Sequence, residues 1–304
     1  MRILKRRLRR GAMTAVLCTI TLTAVLGGAT ASARTAVPAV TPGAGYLALG
    51  DSVTFGYEEA TVVPAPDFKV ASSFAAYPAM LGAELHLTVA NAACPGETAA
   101  SLVNATAQSN GCENAPAASA VSYRKSFPLH VRYRGSQLAY AVTYLKAHPG
   151  VRLVSLMIGA NDLYLCRETT ADKCGSSAEQ KATLVKVKAN IRTILSAIRR
   201  RAHYAGQIVI VQYYSLEYGV SAVNAFSQEL NAAQEAAARP FGVEVTNTYN
   251  LFRQASLHSG LNTCTAGLLT QLSTGGPCGV HPSVAGQALL AQGVADAIHF
   301  SAAP

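Results

Sequence analysis

Apolar runs alternate with helical patterns along most of the chain after residue 45. The runs are nearly continuous, which is typical of strands that are buried on both faces of a parallel sheet. Five segments predict strands, at 46–49, 87–92, 152–158, 207–213 and 243–248. Five segments predict longer helices, at 73–85, 137–146, 178–201, 222–238 and 283–298. This order predicts an α/β fold with a central, mostly parallel five-stranded sheet covered by helices on both faces.

The N-terminal residues show a different pattern. A basic head, MRILKRRLRR, is followed by an apolar run from residue 12 to about residue 29, and Ala31-Ser32-Ala33 follows that run. This order is typical of a secretory signal peptide, so we expect residues 1–33 to be cleaved and the mature protein to be secreted. A membrane anchor is the alternative, but Thr and Gly residues interrupt the run and we expect no stable anchor. The choice between Sec and twin-arginine export stays open.

The rest of the chain is predicted to be one domain. Residues 34–45 are rich in Pro, Ala and Gly, which predicts a disordered tail. No internal repeat or linker follows, so we expect a single domain over residues 46–304.

Composition and charge exclude several classes of protein. Half of the residues are hydrophobic, which excludes a wholly disordered chain. The net charge is +9, but six of the 25 basic residues lie in the first ten positions. Without residues 1–33, 19 basic residues stand against 16 acidic ones. No basic stripe remains, so we expect no nucleic-acid partner.

The cysteines agree with export. Cys18 lies in the predicted signal peptide, and an even number, six, remains after it. In an exported chain this number predicts three disulfides. Their proximity in sequence favours the pairs Cys94–Cys112, Cys166–Cys174 and Cys264–Cys278. The gaps lack the spacing of metal ligands, so we expect no metal site.

Polar residues follow the predicted strands where a ligand would bind. Ligands of open parallel sheets lie beyond the carboxyl ends of the strands. Ser52, Gly96 and Asn161 follow the first three strands, and His281 precedes the last helix. Each alone has an ordinary explanation, since Ser caps helices and Gly and Asn favour turns. Their joint placement favours one site that gathers all four.

Four segments carry a resemblance to a known family. They are LALGDSVTFGY (47–57), NAACPGET (91–98), IGANDL (158–163) and GVHPSVAGQALLA (279–291). In order and spacing they resemble the four blocks of the SGNH hydrolases, also called GDSL esterases/lipases, in the secreted actinobacterial-type branch. The resemblance implies a three-layer α/β/α sandwich, flavodoxin-like in its sheet, and a secreted serine esterase or lipase. It implies a small-molecule or lipid ester as substrate and no cofactor, and we expect a monomer.

The resemblance also implies a role for each residue. Ser52 would be the nucleophile and His281 the base, with Ser52, Gly96 and Asn161 forming the oxyanion hole. A serine hydroxyl needs a base within hydrogen-bond reach, and a neutral imidazole can take its proton and return it to the leaving alcohol.

The third member of the triad departs from the family pattern. The family places an Asp three residues before the His, and here that position is Cys278. We expect the backbone carbonyl of Cys278 to orient the imidazole, with Glu217 or Asp162 as the alternatives. A carbonyl fixes the tautomer but stabilises imidazolium less than a carboxylate does.

Two other functions stay open on the sequence. One is a non-catalytic secreted binding protein on the same fold. The other is a hydrolase of acetylated sugars, of amides or of phospholipids, which would use the same residues. Acyl-chain preference depends on the loops at 57–72, 97–135 and 164–180, which the sequence leaves undefined.

Overall fold

The computed structural model describes residues 37–116 and 122–302. Within them the chain forms seven strands and ten α-helices. The strands are β1 (Gly45–Gly50), β2 (Thr88–Asn91), β3 (Val151–Met157), β4 (Gln207–Ile210), β5 (Glu244–Val245), β6 (Leu269–Gln271) and β7 (Cys278–Pro282). The helices are α1 (Ser52–Phe55), α2 (Tyr77–Glu84), α3 (Ala99–Val103), α4 (Tyr123–Ser126), α5 (Gln137–Ala147), α6 (Ala160–Thr169), α7 (Ser177–Ser196), α8 (Ser221–Ala238), α9 (Thr248–Ala255) and α10 (Val284–Ala297).

Five strands form the central sheet in the order β2-β1-β3-β4-β5, and all four neighbouring pairs are parallel. This confirms the predicted five-stranded sheet. The middle of the sheet is apolar because Leu47 of β1 lies beside Val154 of β3, and both side chains are fully buried. All the carboxyl ends lie at one edge, so the loops that follow β1, β2 and β3 meet there.

Helices cover both faces and confirm the α/β/α layers. Helix α7 contacts α3, α6 and α8, whereas α10 contacts α2 and α9. Val187, Ile191 and Ile194 recur at helical spacing on α7 and are all fully buried, so this stripe of the helix packs inward. Helix α2 starts at Tyr77, later than predicted, because Pro78 fits only the first turn of a helix.

The predicted disordered tail is wrong for the residues from 37 to 45. Val40 is fully buried, and its N–H donates to the carbonyl of His299 at 2.9 Å. Its own carbonyl accepts from the N–H of Ser301 at 2.9 Å, and Gly45 already belongs to β1. A buried valine with two backbone hydrogen bonds outweighs the Pro/Gly composition around it. The predicted signal peptide at 1–33 lies outside the described residues.

All three predicted disulfides are present in the structure. The Cα–Cα distances are 5.7 Å for Cys94–Cys112, 5.4 Å for Cys166–Cys174 and 5.7 Å for Cys264–Cys278. The last bridge joins the loop after α9 to β7, which pairs with β6 as a small antiparallel hairpin. Nowhere in residues 37–116 and 122–302 is a helix long and apolar enough to span a membrane.

Candidate active site

Ser52 is the first residue of α1, directly beyond the carboxyl end of β1. The turn between the two elements requires a glycine at position 50, where φ is +150° and a Cβ would lie 2.3 Å from the carbonyl oxygen of Met157. Asp51 caps the helix, since its Oδ1 accepts from the N–H of Val53 at 3.0 Å. The turn therefore fixes the backbone on which the Ser52 hydroxyl stands.

His281 lies on β7, and its Nε2 is 2.9 Å from Ser52 Oγ. Its other ring nitrogen, Nδ1, is 2.8 Å from Glu59 Oε1. An ionised carboxylate can only accept, so Nδ1 carries the proton and Nε2 accepts from the serine hydroxyl. The ring of Tyr57 packs edge-on against the imidazole, with 4.9 Å between ring centroids. This is the arrangement of a serine hydroxyl with its general base.

Glu59 occupies the place that the sequence assigned to the carbonyl of Cys278, so that expectation is wrong in the structure. Cys278 instead lies opposite Gln271 in the β6–β7 hairpin. Glu59 Oε1 also accepts from the N–H of Val280 at 3.0 Å, and its Oε2 accepts from the hydroxyl of Thr270 at 2.6 Å. These bonds attach the carboxylate to both strands of the hairpin.

The two alternative acids lie elsewhere. Asp162 Oδ2 accepts from the N–H of Ala99 at 2.8 Å, at the start of α3. Glu217 follows β4 and forms an isolated backbone bridge with Asn262. In the described part of the chain neither side chain is hydrogen-bonded to the imidazole of His281.

Glu59 is held as a carboxylate. Burial alone would raise its pKa. The hydrogen bond and positive charge of His281 and the hydroxyl of Thr270 outweigh that effect and lower the pKa to about 2. Glu59 therefore carries its charge at neutral and mildly acidic pH. A fixed negative charge beside Nδ1 favours the imidazolium that forms when the base takes a proton.

Three residues that the sequence proposed for an oxyanion hole, Ser52, Gly96 and Asn161, follow β1, β2 and β3 in turn. Gly96, beyond β2, has a φ of +81°, and a Cβ there would lie 2.5 Å from the carbonyl oxygen of Asn110. Asn161 is the second residue of α6, and its Oδ1 accepts from Asn110 Nδ2 at 3.1 Å. Among residues 37–116 and 122–302 no protein acceptor binds the N–H of Ser52, the N–H of Gly96 or Asn161 Nδ2. All three donors can therefore bind a substrate oxygen.

A buried polar network stiffens the backbone on either side of this region. Gln137 Oε1 accepts from the N–H of Gly50 at 2.6 Å, and Gln137 Nε2 donates to the carbonyl of Gly50 at 3.0 Å and to Glu97 Oε2 at 3.1 Å. Burial and the nearby charge of Glu113 raise the pKa of Glu97 well above its ordinary value. The network therefore links Glu97, which follows Gly96, to Gly50, which lies two residues before Ser52.

Six aromatic rings pack together beside His281, and we call them the aromatic cluster. Tyr57 joins the cluster to the imidazole of His281. Its members come from the end of α1, from the loop after α1 and from the segment around α4. The rings pack edge to face or tilted, except for the stacked pair Tyr57 and Phe74, at centroid distances of 5.2–6.1 Å. They are Phe55, Tyr57, Phe68, Phe74, Tyr123 and Phe127.

Sequence reasoning named Ser52 and His281, which the structure brings into contact, and it missed Glu59. A signal was present: Glu58 and Glu59 follow the nucleophile by six and seven residues, on the same loop. Glu59 lies neither three residues before the histidine nor directly after a strand, the two kinds of position at which the sequence predicted the third member.

Comparisons with known proteins identify the family and the fold. A family model described as "GDSL-like Lipase/Acylhydrolase family" matches residues 48–289, whereas no match is found among curated proteins. An extracellular lipase from Streptomyces rimosus is similar in structure, with 22% identity and a TM-score of 0.55 over 84% of this chain and 99% of that chain. A catalytic mutant of an acetylxylan esterase from Geobacillus stearothermophilus has 17% identity and a TM-score of 0.52 over 86% and 97%. A lipase from a goat rumen metagenome has 14% identity and a TM-score of 0.51 over 84% and 98%. At these identities the structures share the fold and leave the substrate open.

Proposed function

Because the chain belongs to the GDSL-like lipase/acylhydrolase family, we propose that it hydrolyses carboxylic esters through an acyl-enzyme formed on Ser52. The observation that carries this proposal is the chain of contacts from Ser52 Oγ to His281 and on to Glu59, with donor–acceptor distances of 2.9 Å and 2.8 Å. A binding protein without catalysis would have no need for this proton path. Glu59 takes the part of the third triad member.

The first half of the reaction acylates the serine. His281 Nε2 takes the proton of Ser52 Oγ as the oxygen attacks the ester carbonyl, and a C–O bond forms. The carbonyl oxygen becomes negative and is bound by the N–H groups of Ser52 and Gly96 and by Asn161 Nδ2. His281 then gives its proton to the leaving alcohol, the ester C–O bond breaks, and Ser52 keeps the acyl group.

The second half releases the acid. Water attacks the acyl-enzyme while His281 Nε2 takes a proton from it, and the same three donors bind the second tetrahedral intermediate. The bond to Ser52 Oγ breaks, and His281 returns the proton to the serine. Throughout, Glu59 keeps the Nδ1–H tautomer and stabilises the imidazolium.

An apolar acyl group suits this site. The aromatic cluster meets the imidazole through Tyr57, so an acyl chain near Ser52 would contact aromatic rings rather than water. Esters with an apolar acyl group, whether soluble or in lipids, are the proposed substrates.

Secretion is part of the proposal. The three disulfides support an oxidising compartment, and the pattern of residues 1–33 supports a cleaved signal peptide before a single domain. Detection of the mature protein in culture medium, with an N-terminus close to residue 34, tests this part.

One experiment tests the enzymatic proposal directly. Wild-type protein should hydrolyse 4-nitrophenyl acetate and butyrate and should be labelled by a fluorophosphonate at Ser52. Ser52→Ala should lose both properties and keep its melting temperature. Ser177→Ala, at an exposed serine, is the matched control and should keep both. Labelling at another serine, or turnover by Ser52→Ala, would overturn the proposal.

A further inference from the structure

The side-chain amide of Asn161 can serve the oxyanion in only one of its two orientations. Its oxygen and nitrogen ends have nearly the same shape, but only Nδ2 donates hydrogen bonds. An amide turned by 180° would present Oδ1 to the developing negative charge and would oppose the reaction. Something in the protein must therefore hold the nitrogen end toward the substrate.

The residue in place to do so is Asn110. Its Nδ2 donates to Asn161 Oδ1 at 3.1 Å, and an amide nitrogen cannot accept in return. This bond fixes Oδ1 on the side of Asn110 and leaves Asn161 Nδ2 on the other side. We propose that Asn110 is a positioning residue that sets the orientation of the Asn161 amide, an inference that rests on the proposed esterase function.

Asn110 also contacts a second part of the proposed oxyanion hole. Its backbone N–H donates to the carbonyl of Gly96 at 2.7 Å. The two backbones are so close that a Cβ on Gly96 would lie 2.5 Å from the carbonyl oxygen of Asn110. Asn110 therefore contacts both of the residues, Gly96 and Asn161, that would supply the other two donors.

The loop that carries Asn110 is itself held in place. The Cys94–Cys112 disulfide closes around it, and the N–H of Gly111 donates to the carbonyl of Asn114 at 2.9 Å. A donor group that is positioned before the substrate arrives needs no rearrangement as charge develops, and this is the condition under which such donors accelerate a reaction.

The substitution Asn110→Asp separates positioning from packing. The carboxylate has almost the same shape and keeps the backbone bond to Gly96, but it can only accept. The Asn161 amide would then turn and donate Nδ2 to the new carboxylate, so its oxygen would face the substrate. Since loss of one such donor costs about 10²–10³ in rate, we expect kcat to fall at least about 10²-fold, with KM changed less than about threefold.

The substitution Asn110→Leu is the matched control. It also keeps the shape but exerts no preference on the amide, so we expect kcat to fall about tenfold. The predicted order of kcat is wild type, then Asn110→Leu, then Asn110→Asp. A residue that only packs would give similar values for the two variants, and that result would overturn the inference. Should Asn110→Asp fail to fold, a wild-type kcat for Asn110→Leu would overturn it equally.

A double-mutant cycle shows whether Asn110 acts through Asn161. In an Asn161→Ala background the loss caused by Asn110→Asp should shrink at least tenfold, because no amide is left to turn. The same loss in both backgrounds would mean that the new charge acts directly on the substrate, and the inference would be wrong. Labelling of Ser52 by a fluorophosphonate is measured in every variant. If the esterase proposal itself is wrong, wild type will show no turnover that depends on Ser52, so the two failures can be told apart.

Discussion

Replacing Glu59 by glutamine removes one charge from the proposed triad and leaves its geometry in place. The side-chain oxygen of glutamine can still accept from His281 Nδ1 and from the N–H of Val280, which now lie 2.8 Å and 3.0 Å from Glu59 Oε1. The amide nitrogen can donate to the hydroxyl oxygen of Thr270, which now lies 2.6 Å from Oε2. The imidazole should therefore keep its tautomer, and the change in rate measures the charge alone.

The size of that change follows from Coulomb's law. Two opposite charges about 4 Å apart attract by about 4 kcal/mol at an effective dielectric constant of about 20 and by about 1 kcal/mol in water. The Glu59 side chain is 23% exposed, so solvent screens part of this attraction. We expect the barrier to rise by about 2–3 kcal/mol, which lowers kcat/KM by about 30- to 150-fold. Glu59→Ala also loses the orientation of the ring, and its loss should approach the value of about 10⁴ that is typical of a disabled triad acid.

The assay is hydrolysis of 4-nitrophenyl butyrate by both Glu59 variants, with melting temperatures measured in parallel. Glu58→Gln is the matched control, because Glu58 is the neighbouring acid and its side chain makes no hydrogen bond to His281 within the described residues. The charge of the half-buried Glu58 also acts on His281, but without a hydrogen bond to the ring, so this variant should stay within about threefold of wild type. Added formate should partly restore Glu59→Ala. A wild-type rate for Glu59→Ala, or equal losses for the Glu58 and Glu59 glutamine variants, would refute the assignment.

Three further predictions concern the surrounding structure. Asn161→Ala should lower kcat about 10²–10³-fold with little change in KM, because the amide binds charge that exists only in the transition state. A raised KM with an intact kcat would instead make Asn161 a substrate-binding residue. Asp162→Asn should keep kcat within about tenfold, since its contact is the N–H of Ala99. Burial raises the pKa of Asp162 to about 7, above its unfolded value of about 4. The wild-type free energy of unfolding should therefore fall as the pH rises from about 4 to about 7, whereas that of Asp162→Asn should not. Parallel pH profiles of the two proteins in urea denaturation would contradict this. Replacing both Cys264 and Cys278 by Ala should lower the free energy of unfolding by about 2–4 kcal/mol. It should also lower kcat at temperatures where the fold survives. An unchanged melting curve would show that the bridge is dispensable.

The sheet could be predicted from the sequence because its strands are buried on both faces. A strand such as β3 has no polar face and reads as a run of apolar residues, and its fully buried Leu153 and Leu156 show why. Once parallel strands are predicted, the edge at which their loops meet is also fixed. Ser52, Gly96 and Asn161 could be grouped for this reason, before any side-chain geometry was known.

Glu59 could not be found in this way because it lies on a loop, not at a strand end. Its position depends on the β6–β7 hairpin, where the N–H of Val280 and the hydroxyl of Thr270 bind the carboxylate. Both strands of this hairpin are short and partly exposed, and they lack a run of apolar residues. The contact joins residues that are 222 positions apart, which no local pattern indicates.

The distance along the chain between the serine and its base matters for the growing polypeptide. Ser52 and Glu59 are synthesised early and close together, whereas the imidazole follows 229 positions after the serine. The hairpin that delivers the imidazole docks on Glu59 itself, and Gly279 permits that approach because any Cβ there would lie 2.1 Å from Glu59 Oε1. A nascent chain that has not yet completed this hairpin holds a nucleophile and an acid with no base between them. Ester cleavage by the proposed mechanism must therefore await the synthesis of His281 and the docking of its hairpin on Glu59.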